Sequence, residues 1–195
     1  MIEQGILEKF SAQFNNLEKV VEQSKLRVIS EPIDQLFYEN QNVFIKSYLV
    51  SACSMLEAYI QELLQFYVDA IQDRINSANV PYNFVVWLAE FDKAKMHFGK
   101  FEGNKKKKDV SDLVSPNFYK TIQAFERIGV DISQNELYSF KDYITSIVNK
   151  RNRIVHHNDD ASDLSFSDIV LAIHEFKLYC ECLHKVVTKD KHLQL

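Results

Sequence analysis

The sequence predicts an all-α protein, an antiparallel helical bundle arranged about one long central helix. Three observations carry that expectation. Apolar residues recur three and four apart along most of the chain, the spacing that lines one face of a helix. Only four glycines and three prolines serve 195 residues, too few turn signals for a protein of many strands. No stretch alternates apolar and polar residues persuasively enough for a strand.

Leu7, Phe10, Phe14, Leu17 and Val21 form one stripe on the first helix. A break falls at "SEPID". The run 42–77 carries Ile45, Leu49, Ala52, Leu56, Tyr59, Leu63, Tyr67, Ala70 and Ile75, with further apolar residues off that line. It is read as the central helix, touching neighbours on several sides. Pro81 opens a helix over "PYNFVVWLAEFDKAKMHF", because proline is tolerated at the first helical position. Residues 99–115 have no sustained period and hold four consecutive lysines, so they are expected to be a mobile linker. Ser115-Pro116 starts a short helix that Gly129 stops. "SQNE", 133–136, has the form of a capping box and opens the next helix. After the loop "NDDASDLS", Phe166, Ile169, Ile173, Phe176, Cys180, Leu183 and Val187 mark the last helix. One domain over 1–195 is expected.

Composition narrows the function classes. The net charge of −4 argues against wrapping nucleic acid over a whole face and leaves room for a local basic site. Cys53, Cys180 and Cys182 lack metal-ligand spacing, and "MIEQGILEKF" does not read as a signal peptide, so a cytoplasmic location is expected. Lys46, Glu57 and Glu62 interrupt the longest apolar run, so no membrane span is expected.

The stretch "VNKRNRIVHHNDD", 148–160, is the one that suggests chemistry. The stripe of its helix runs Leu137, Phe140, Ile144, Ile147, Arg151, Ile154. Arg151 therefore faces the core, where a guanidinium needs a paired anion and satisfied donors. Asn152 and His156 are four apart and neighbours on the helix surface. Arg151 and His156 are about 140° apart around an ideal helix, so a loosened helix end or a second chain is needed to bring them onto one atom. Lys150, Arg153 and His157 suit the negative end of the helix dipole. A metal site from His156, His157, Asp159 and Asp160 is disfavoured, because adjacent histidines diverge by about 100°. No metal or cofactor is expected.

Arg151-Asn152, three residues, then His156 reads R-N-x-x-x-H, which resembles the motif of the HEPN superfamily. "SYLVSACSMLEAYIQELL", 47–64, is similar to the first core helix of its RiboL-PSP and MAE_28990-like branch, with Glu57 after a small and apolar run. Helix order agrees from Asn42 onward; the first helix and the lysine segment lie outside the likeness. The resemblance implies an all-helical, HEPN-like fold and a metal-independent endoribonuclease, a toxin or phage-defence effector. Its products would be a 2′,3′-cyclic phosphate and a 5′-hydroxyl. It implies His156 for the proton steps, since imidazole titrates near neutrality. It implies Arg151 for the phosphate, which its fork matches, and Asn152 as an orienting amide. It further implies RNA as substrate, a homodimer facing its two motifs across a twofold cleft lined by Lys150 and Arg153, and a possible antitoxin partner.

Glu57 is read as the buried partner of Arg151, with a solvent-facing helix residue as the alternative. Lysines 105–108 read as a solvated loop before an RNA-backbone contact, and Trp87 with the other aromatics as core before base-stacking platforms. The alternative function is a non-catalytic HEPN-like module that binds RNA, a nucleotide or a partner protein.

Overall fold

The structure is a computed structural model that describes residues 2–91, 95–133 and 136–190. Its first helix, α1 (Ile2–Ile29), buries Phe10, Phe14 and Val21 of the expected stripe. A short helix, α2 (Gln35–Glu39), follows the break, and the Asp34 side chain accepts from the Leu36 and Phe37 N–H groups at its start. The central helix α3 (Gln41–Ala78) has 38 residues, about 57 Å at 1.5 Å per residue. It ends at Asn79 in the left-handed conformation, φ 52°.

Side-chain pairs fix the helix directions. Phe10 meets Tyr59 edge-on at 5.6 Å, and Ser24 Oγ lies 2.7 Å from Tyr48 Oη, so α1 runs antiparallel to α3. The final helix α8 (Phe166–Thr188) runs parallel to α3: Tyr48 packs on Phe166, and Tyr59 Oη donates to the Cys180 carbonyl at 2.9 Å. The first and last helices close the bundle through Phe14 on Phe176 and the Lys177 to Glu18 ion pair at 2.6 Å. Ser165 and Asp168 form the capping box of α8.

By length and composition α3 could cross a membrane. Here its buried residues, Leu49, Ala52, Leu56, Tyr59, Ile60 and Leu63 among them, belong to the common core. Glu62 pairs with Lys9 of α1 at 2.6 Å.

Three segments depart from the expected pattern. The helix expected over 81–98 stops early: α4 is Tyr82–Leu88, and Glu90 turns the chain at φ 55°. The returning segment pairs Lys100 with Pro81 in a single bridge, the Tyr82 N–H donating to the Gly99 carbonyl and the Phe101 N–H to that of Val80. The apolar period there reads as a helix face, but only Val86 of α4 is buried, so no packing extends it. Residues 92–94 of that expectation lie outside the described residues.

Within 99–115 the chain forms α5 (Lys107–Ser111), which buries Val110. The stretch before it is docked on α3. The Gly103 N–H donates to Asn76 Oδ1 at 2.9 Å, the Lys105 N–H to Gln72 Oε1, and Gln72 Nε2 to the Lys105 carbonyl at 3.1 Å. A Cβ on Gly103 would come within 2.7 Å of Gln72 Cγ, which explains a glycine there.

Asn117 caps α6 (Phe118–Glu126) by accepting from the Tyr119 and Lys120 N–H groups, and Gly129 follows at φ 83°. Helix α7 (Lys141–His157) begins later than the expected "SQNE" box, behind a 3-10 turn at Glu136–Phe140. Gln134 and Asn135 of that box lie outside the described residues. No strand occurs among the described residues.

Candidate functional site

The motif occupies the last two turns of α7. The helix ends where Asn158 adopts the left-handed conformation, φ 50°, and the Asp159 N–H turns back onto the Arg153 carbonyl at 3.2 Å. α7 packs on α3 and runs antiparallel to it, so the motif lies beside the first turns of α3. Asn42 holds the following loop. Its Nδ2 donates to Asp160 Oδ1, and its Oδ1 accepts from the Ala161 N–H at 3.2 Å.

Arg151 is half-buried. Its Nη1 donates to Asn152 Oδ1 at 3.0 Å, and its Nε is buried with no acceptor. Such an unmet donor on a fixed cation is costly unless something else supplies an acceptor. The expected ion pair with Glu57 is not formed: the guanidinium turns to Asn152 on its own helix, and Glu57 is only half-buried, so water can replace the partner. Both charges act on Cys53 of α3. Burial pushes that thiol up to about 12, Arg151 opposing the rise and Glu57 adding to it. Cys53 is therefore a packed thiol at neutral pH and not a nucleophile.

Asn152 is half-buried, while His156 and His157 are exposed. Arg153 is exposed, with Nε 3.4 Å from Asp159 Oδ2. The surprise is Lys150, expected on an open cleft and in fact 7% exposed. Its Nζ donates to the Asp160 carbonyl at 2.5 Å, and it pairs with Asp163 Oδ1 at 2.6 Å and Asp159 Oδ2 at 3.3 Å. Burial alone would lower the lysine; the hydrogen bonds and charges of Asp163 and Asp159 outweigh it and hold Lys150 above its ordinary value. The same hydrogen bonds hold both carboxyls below theirs. This clasp folds the loop over Lys150 and fixes the backbone immediately behind His156.

Among the described residues no three His, Cys, Asp or Glu side chains converge as a metal site. Asp159 is committed to Lys150 and Asp160 to Asn42. A cavity of about 690 Å³ lies along the second half of α3, lined by Val68, Ile71, Ile75, Phe101, Leu113 and Ile128. It begins at Leu64, eleven residues beyond Cys53, or about 17 Å of helix rise. The motif lies at the other end of the bundle, with His156 and Arg153 exposed.

Sequence reasoning missed Asn42 and the clasp carboxylates. The signal for the clasp was three aspartates within five residues, just after the end of a helix that carries a lysine two turns earlier.

A long central helix in an all-α bundle, with R-N-x-x-x-H closing a later helix, defines a HEPN-type helical protein. The family model described as RiboL-PSP-HEPN matches residues 8–189, and the chain belongs to this family. The match takes in most of α1 and the lysine segment, both outside the likeness carried by the motif and the central helix. No curated protein and no solved structure matches the chain.

Proposed function

We propose that the protein is a metal-independent endoribonuclease that cleaves RNA to 2′,3′-cyclic phosphate and 5′-hydroxyl ends, acting as a toxin or phage-defence effector. Family membership supports the general RNA-binding or nuclease-like role. One observation carries the specific reading: an intact Arg151-Asn152-x-x-x-His156 on an open helix end, with an unmet donor on the arginine. His156 takes the proton of the 2′-hydroxyl, and Arg151 holds the charged phosphorane. Asn152 Oδ1 accepts from Arg151, which leaves the amide Nδ2 as a donor for the imidazole or a phosphate oxygen. A second imidazole protonates the leaving 5′-oxygen.

The 140° between Arg151 and His156 calls for a second chain. The surface around the motif supports one. Val155 lies about 40° from Arg151 around α7, on the apolar stripe, yet it is 47% exposed. Val43, beside the loop-holding Asn42, is 60% exposed. Both would be covered by a second copy across a twofold cleft, which would pair Arg151 of each chain with His156 of the other. Arg153 would face the RNA backbone. Lys150 would act through its loop, since its ammonium is engaged within the chain.

The same angle favours the alternative, a non-catalytic module that binds RNA, a nucleotide or a protein such as an antitoxin. Mixed dimers separate the two. His156→Ala and Arg151→Ala chains are each expected to be severely impaired alone. Mixed together, they are expected to regain part of the cleavage in EDTA, because one Arg151–His156 pair is restored without the second His156. Wild-type protein that binds RNA without cleaving it leaves the binding module in its place, and cleavage only with added divalent metal, or full activity in His156→Ala, overturns the proposed chemistry.

A further inference from the structure

The expectation that Trp87 and its neighbours are core fails at α4. Trp87 is 70% exposed, Phe84 46%, Phe91 58%, and Phe98 stands fully in solvent. Four large rings on one short helix and its return loop exceed the scattered apolar exposure that ordinary surfaces carry. The rings are also held open. The loop carrying Phe98 is tied down by the Pro81–Lys100 bridge, by the His97 N–H donating to Asn83 Oδ1 at 2.9 Å, and by Tyr82 stacking on His97 at 3.9 Å. Phe84 and Trp87 sit 5.9 Å apart, tilted by 51°, so neither covers the other's face.

The charge around these rings says what could cover them. In a chain of net charge −4, the described residues of 90–109 hold six lysines against three carboxylates. Lysines 105–108 are exposed, and their segment is docked on α3 at Gln72, within two turns of the helix end from which α4 departs. Open aromatic faces beside a basic run are the combination that holds single-stranded nucleic acid, bases stacking on rings and phosphates tracking cations. A protein partner would not need that lysine excess.

We propose that α4 and its return loop form a stacking platform for single-stranded RNA, with lysines 105–108 contacting the backbone. This rests on the reading of the protein as acting on RNA. The platform stands at the far end of α3 from the motif, so it recruits or selects RNA and takes no part in bond cleavage.

Trp87 is the only tryptophan, so its fluorescence reports directly on the platform. The test titrates wild-type protein with a 2′-O-methyl RNA 12-mer, which lacks the 2′-hydroxyl and cannot be cleaved by the proposed chemistry. Saturable quenching is expected, absent with the same sequence as a duplex. Trp87→Ala should weaken binding, followed by anisotropy of the labelled RNA, about 5- to 150-fold, the effect of losing one stacked base. Trp87→Phe should retain most of the affinity. Lys106→Ala should weaken binding to all sequences and reduce its salt dependence by about one phosphate contact. Cleavage of a dinucleotide, too short to reach the platform, should be unchanged in Trp87→Ala. Unquenched Trp87, or equal affinity in Trp87→Ala, overturns the proposal even if RNA is cleaved. Quenching without any cleavage retains the platform and overturns the endoribonuclease reading. Loss of self-association in Trp87→Ala, with RNA affinity intact, makes the rings a protein interface instead.

Discussion

Lys150 and Arg151 exchange the roles that their positions on the helix suggest. Arg151 lies on the apolar stripe but near the helix end, where its long stem reaches the surface. Lys150 lies at the edge of the stripe, about 40° from Ile154, and is covered by the loop that folds back. No periodicity argument can foresee that cover, because it depends on where the chain goes after Asn158. The clasp makes an asymmetric prediction. Lys150→Met leaves two carboxylates that remain exposed to water, whereas Asp159→Asn with Asp163→Asn strands a buried ammonium. The double variant is expected to lower the melting temperature more than Lys150→Met, and an equal effect in calorimetry would contradict the clasp. Its pH dependence has a defined sign. The carboxyls are held below their usual values, so their contribution is complete above about pH 4 and is lost as the pH falls through the lowered values. Lys150 is held above its usual value, so its share is complete below about pH 10 and is lost as the pH rises further. In Lys150→Met both dependences should shrink in melting curves taken across pH. Glu57→Gln, with no arginine partner in the chain, should shift the melting temperature little, where a buried pair broken on one side would cost about 3–5 kcal/mol.

At the scale of elements, the long helices were legible because burial imposes a period. α1, α3, α7 and α8 bury Phe14, Leu56, Ile144 and Phe176, all on the stripes read from the sequence. Phe176→Ala should cost about 3–5 kcal/mol of unfolding free energy, and a change below 1 kcal/mol in urea titration would displace it from the core. α4 misled because its apolar residues keep a helical period without any packing to justify it. α5 was hidden because docking through Gln72 and Asn76 is a property of α3, thirty residues away. Gly103→Ala must push against Gln72 where that side chain leaves its helix. It should release the 99–106 stretch, seen as faster amide exchange at Lys105 while α1 and α8 stay protected. At the motif, the residue types and their spacing were readable, but the fork of Arg151 turning to Asn152 rather than Glu57 was not.

The two proposed sites lie at opposite ends of α3, the motif at one and the exposed rings at the other. If a second copy covers Val43 and Val155, then Val155→Asp should lower the dimer fraction in light scattering and reduce RNA cleavage together, without altering the far-UV circular dichroism. Cleavage surviving in a strictly monomeric Val155→Asp would remove the need for a composite site. A different consequence follows from the closure of the bundle by its first and last helices. α1 is antiparallel to α8, and Phe14 meets Phe176. Counting outward at equal rise, twelve residues lead back to the start of α1 and forward to the end of α8. The beginning and end of the described chain are therefore neighbours, and the order in which the helices are strung is not the order the core requires. A circular permutant, with a short Gly-Ser segment joining Thr188 to Ile2 and new ends cut at the exposed 96–99 loop, should keep the native helical content and melt cooperatively.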